Sequence, residues 1–145
     1  MIKKIKLTLV ILIFMNFLNA VSADNIFFKE GEKKYTEKKY DDSKFLFQRS
    51  IVFNPKDANS YLYLAKIYNF EKNEKEEEKN INTALLLDPI NEDALYMLIE
   101  IEIRKSNYSK VKYLTEKFSK ICKNLCEKKK LILESIKNLE PKNES

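Results

Sequence analysis

Apolar side chains recur along this chain at spacings of three and four, and the whole arrangement returns after 34 residues. Two stretches show it: IVFNPKDANSYLYLA (residues 51–65) and LLLDPINEDALYMLI (residues 85–99). Each runs apolar, then Asn or Asp, then Pro, then polar, then apolar again. With Pro55 at position 32 of a unit, the units span residues 24–57, 58–91 and 92–125. Position 4 then holds Phe27, Tyr61 and Leu95, and position 8 holds Gly31, Ala65 and Ile99. Position 24 holds Phe47, Ile81 and Thr115, position 27 holds Ser50, Ala84 and Phe118, and position 30 holds Phe53, Leu87 and Ile121. Such spacings place the residues on the buried stripes of helices.

Each unit has room for two helices of about twelve residues joined by a short turn. The turns fall in TEKKYDD, FEKNEKE and RKSNYSK. Proline at position 32 stands just before the next helix, where a missing N–H costs little. The stretch EKEEEKN (residues 74–80) is too polar to pack closely, which predicts a splayed or loose turn there. The third proline place holds Lys123 and ends the array. Residues 126–140 follow as one amphipathic helix, with Leu131, Ile132, Ser135, Ile136 and Leu139 on its stripe. A helical array needs a cap with a polar outer face, and this helix suits that role. Residues 141–145 are expected to fray.

This pattern resembles the tetratricopeptide repeat (TPR) family. The first unit carries the likeness best, in the F-x-x-x-G-x-x-x-Y start of FFKEGEKKY, in Tyr40 and in the closing Asn54-Pro55. The second carries it in YLYLAKIY and INTALLLDP. The resemblance implies an all-α, right-handed solenoid of three helix-turn-helix units plus a capping helix. It also implies a concave groove lined by the first helix of each unit. The groove places read Phe28 and Tyr35, then Leu62, Lys66, Asn69 and Phe70, then Tyr96, Glu100, Ile103 and Arg104. Asn25, Glu32, Thr36, Asn59 and Asp93 complete them. Apolar anchors among polar neighbours suit an extended peptide or a partner helix. For Phe28, Leu62 and Tyr96 the alternative is packing between adjacent helices. Some members of the family grip a C-terminal carboxylate with Lys, Asn and Arg. The matching places here hold Phe28, Glu32, Asp93 and Met97, so an acidic tail of that kind is not the expected ligand.

The N-terminus changes the charge picture. Lys3, Lys4 and Lys6 precede an apolar run from Leu7 to Leu18, and small residues follow in Val21–Ala23. That is the layout of an export signal, with cleavage expected after Ala23. An uncleaved anchor is the alternative, since residues 7–23 are uncharged and sit at the short limit for a membrane span. The chain has 27 basic and 22 acidic residues, and three of the lysines lie in the signal. The mature chain is then 24 against 22, or +2, with the signs interspersed, so no nucleic-acid patch is expected. Membrane contact is expected only through an uncleaved N-terminus. The abundance of Lys, Asn and Ile suits a low-GC bacterium.

Catalytic chemistry is not expected. There is no histidine for a triad or a metal site, and no Gly-rich phosphate loop. The charges of residues 71–79 alternate in sign and read as a solvated helix end. No cofactor or metal follows from these residues. Cys122 and Cys126 are the only cysteines. Four apart on one continuous helix they fit a disulfide poorly, so two free thiols are expected. If the chain turns at Lys123-Asn124, a bridge becomes feasible, and it would pin the cap to the array. The function expected is partner binding in a bacterial envelope, in the periplasm. The alternative is a structural subunit of an envelope complex, held by its convex face or by its uncleaved signal.

Overall fold

The computed structural model of the chain describes residues 26–139, and every regular element among them is a helix. The segment read as an export signal, Asn25 and the tail at 141–145 lie outside the described residues. The helices are α1 (residues 26–36), α2 (Tyr40–Phe53), α3 (Ala58–Phe70), α4 (Glu74–Leu87), α5 (Glu92–Arg104), α6 (Tyr108–Ile121) and α7 (Lys128–Leu139). The starts of α2, α4 and α6 are 34 residues apart, as are those of α3 and α5. No helix among the described residues is long and apolar enough to cross a membrane.

The turns repeat as closely as the helices. Lys38, Lys72 and Ser106 each adopt a left-handed conformation, at φ of 59°, 57° and 54°. After each, an N–H reaches back five residues: Lys39 to the Lys34 carbonyl, Asn73 to Tyr68, Asn107 to Glu102, all at 2.9 Å. This is the helix-ending motif usually built with glycine, made here without one. Asn73 and Asn107 then cap α4 and α6, each accepting an N–H through its side chain.

The proline turns have their own geometry. Asn54 and Asp88 are extended, at φ, ψ of −136°, 84° and −132°, 89°. The ring of a following proline disfavours helical conformation in the residue before it, so Pro55 and Pro89 stop α2 and α4 at that point. Asp57 and Asn91 accept N–H groups at the starts of α3 and α5. The third such place is Cys122. It too is extended, at −58°, 139°, although Lys123 follows it.

Here the expectation of free thiols is corrected. Cys122 and Cys126 are bonded, with S–S 2.13 Å and Cα atoms 5.2 Å apart. The helix stops at Ile121, so the two residues flank a turn rather than share a helix. The bridged turn is also held by Glu92, the first residue of α5. Its carboxylate accepts the N–H groups of Lys123 at 2.7 Å, Asn124 at 3.0 Å and Leu125 at 3.3 Å. These bonds, that of Lys123 foremost, hold the Glu92 pKa below the usual carboxylate value.

The chain divides after Leu64 into two compact units. The first is built on aromatic rings. Phe47 is fully buried, stacked on Tyr63 at 4.8 Å and close to Phe28 at 5.6 Å. Tyr35 meets Tyr63 and Tyr40, and the Ser43 hydroxyl donates to the Gly31 carbonyl at 2.9 Å. The second unit packs α5 against α4, α6 and α7. Its core is aliphatic: Ile67, Ile81, Leu95, Ile99, Val111 and Ile132, with Phe118.

The expectation of a loose, polar segment at 74–80 is also corrected. It is the first two turns of α4, and Glu77 is buried. Glu77 accepts from the Arg104 guanidinium at 2.8 Å and from the Asn69 amide at 2.8 Å. A carboxylate can be buried when its lone pairs are met in this way. The acids of the first turn, Glu74, Glu76 and Glu77, also lie where the helix dipole favours negative charge.

Candidate functional site

Five of the expected groove residues converge in the second unit. Asn69 lies in the last turn of α3, and Tyr96, Glu100, Ile103 and Arg104 share one face of α5 by their spacings of three and four. With Leu131, Ile132 and Ser135 of α7 they line a cleft of about 400 Å³. The three α7 residues were legible as a helix stripe, but nothing in the pattern showed which helix they would face.

The cleft is polar and internally bonded. The pKa of the Tyr96 hydroxyl is pushed up to about 12, by burial first and then by its interaction with the Glu100 carboxylate. Arg104 is held by Glu77 at 2.8 Å and Glu74 at 3.5 Å. Asn69 donates its amide hydrogen to Glu77, and the Ser135 hydroxyl donates to the Leu131 carbonyl at 3.0 Å. A smaller cleft of about 240 Å³ adjoins it, lined by Asn69, Lys72, Glu74, Glu77 and Arg104.

The remaining groove residues lie elsewhere. Phe28 and Tyr35 belong to the aromatic cluster of the first unit, and burial raises the Tyr35 pKa. Leu62 is 5% exposed and packs as core. Lys66 is paired with Asp93 at 2.5 Å. Phe70, at the end of α3, is 64% exposed and is not among the residues that line the cleft. Sequence reasoning missed Glu92, whose partners lie 31 to 33 residues away and follow no motif. No group of three or more potential metal ligands occurs among the described residues.

No protein-family model matches the chain, and no curated protein matches its sequence. Solved structures do match. The TPR2B domain of yeast Sti1, in its pHsp70 complex, has a TM-score of 0.71 at 14% identity, covering 81% of this chain and 98% of that one. The Arabidopsis OM64 TPR domain has a TM-score of 0.73 at 14% identity, covering 82% and 98%. The first TPR of Spaghetti (RPAP3), bound to the HSP90 peptide SRMEEVD, has a TM-score of 0.72 at 16% identity, covering 81% and 96%. At these identities the likeness is one of fold: the chain has the all-helical fold of TPR domains.

Proposed function

We propose that this chain is a non-catalytic interaction module, exported to a bacterial cell envelope, that docks a segment of a partner protein in the α5–α7 cleft. The observation that carries the reading is the convergence of Asn69, Tyr96, Glu100, Ile103 and Arg104 on one cleft. Two of the similar solved structures are complexes with chaperone segments, pHsp70 and the HSP90 peptide SRMEEVD, which supports a peptide as the partner's docked part. Export is supported by the Lys3, Lys4, Lys6 and apolar N-terminal layout. It is supported too by the bridge between Cys122 and Cys126, since disulfides persist in oxidising compartments.

The test is affinity capture from the native envelope, with full-length tagged protein and a Tyr96→Ala/Ile103→Ala variant side by side. A Val52→Ala variant serves as control, because Val52 is exposed and is not a cleft residue. The expected result is a partner captured by wild type and control and lost by the cleft variant, which keeps its helical circular dichroism. Equal capture by the folded cleft variant overturns the reading.

A further inference from the structure

We infer that the α5–α7 cleft receives a lysine or arginine side chain of the docked segment, its cationic head on Glu100 and its stem against Ile103 and Leu131. This rests on the docking reading above and adds the chemistry of what is docked.

The argument is one of donors and acceptors. Tyr96 and Glu100 stand one turn apart on the cleft face of α5 and interact through hydroxyl and carboxylate. Asn69 donates its amide to Glu77, which leaves the Asn69 carbonyl oxygen for another partner. Ser135 donates to the Leu131 carbonyl, which leaves its own oxygen lone pairs. Besides the N–H groups that Arg104 and Asn69 do not spend on Glu77, the cleft offers a carboxylate, an amide oxygen and two hydroxyls. Ammonium and guanidinium groups are donors only, with three and five N–H bonds to give.

Charge points the same way. Among the described residues Glu100 forms no ion pair, and three cations of α3 and the end of α5 are paired elsewhere. Arg104 is bound to Glu77 and Glu74, Lys66 to Asp93, and Lys105 to Glu78 at 2.6 Å. Lys72 lines the adjoining cleft beside Glu74, not this one. The α7 residues that line the cleft, Leu131, Ile132 and Ser135, are uncharged, while the helix also carries Lys128, Lys129, Lys130 and Lys137. Leu131 keeps 52% of its surface exposed, and with Ile103 it forms an apolar wall on which a methylene stem can lie.

The test uses the full ¹⁵N-labelled chain and three blocked pentapeptides identical except for a central arginine, norleucine or glutamate. Amide shifts of Tyr96, Ser135 and the Asn69 side chain report binding in the cleft. The arginine peptide is expected to bind roughly tenfold or more tightly than the norleucine peptide, the usual worth of a charge-assisted hydrogen bond. The glutamate peptide is expected to bind least. Glu100→Gln, which preserves shape, is expected to bring the arginine peptide down to the norleucine level. Equal binding of all three peptides, or an arginine preference that survives Glu100→Gln, overturns the charge assignment and leaves docking standing. If none of the three moves the reporter amides, while the cleft variant still loses its captured partner, the cationic residue is likewise overturned.

Discussion

Gly31 is the only glycine of the chain, and it sits inside a helix, where glycine is a poor choice. Its cause is Phe47. A Cβ at residue 31 would stand 2.9 Å from Phe47 Cε1 and 3.1 Å from both Cδ1 and Cζ. That ring is wedged between Phe28 and Tyr63 and has little room to yield. Helix propensity alone favours alanine by about 1 kcal/mol, while forcing an extra carbon into a packed core costs about 1–3 kcal/mol. Crowding outweighs propensity, so Gly31→Ala should lower stability by about 1 kcal/mol net, measured as the shift of the urea midpoint at constant slope. A raised midpoint would show that the ring can move. Gly31 and Phe47 were both legible as stripe residues. That one fills the space of the other was not, because periodicity gives direction around a helix and not distance between helices.

At the scale of elements, the instructive place is the end of α6. Two earlier helices stop because a proline excludes helical conformation from the residue before it, and those stops could be placed from Pro55 and Pro89. The third has Lys123 in the proline place, yet the backbone of Cys122 is just as extended. The bridge to Cys126 and the Glu92 carboxylate hold that turn and set the direction in which α7 departs. A four-residue separation closes a small loop, for which chain entropy alone predicts about 2 kcal/mol. The double variant Cys122→Ser/Cys126→Ser should therefore lose about 2 kcal/mol in urea denaturation, with α7 amides exchanging faster than those of α5. Unchanged exchange in α7 would show that Glu92 and the packing of Ile132 suffice. Segment 74–80 teaches the complementary lesson. Its acids read as solvated because their partners, Asn69 and Arg104, come from two other helices.

For the molecule as a whole, the sharpest expectation concerns its start. Cleavage after Ala23 would remove three lysines and no acid, leaving a chain of nearly balanced charge that cannot rely on a basic surface for its partners. Intact mass of the protein recovered from an exporting bacterial host should correspond to residues 24–145. A mass that includes Met1 would favour a tethered subunit instead. Helix number and spacing, the proline stops and the face that each α5 residue occupies were determined by the sequence itself, because they follow from periodicity and local backbone chemistry. Whether Glu77 could be buried, whether Cys122 could reach Cys126, and which acceptors α7 would bring to Glu100 were decided only in the tertiary structure. The first and last depend on groups distant in the chain meeting across helices, and the bridge depends on where α6 stops, which Lys123 in the proline place did not reveal.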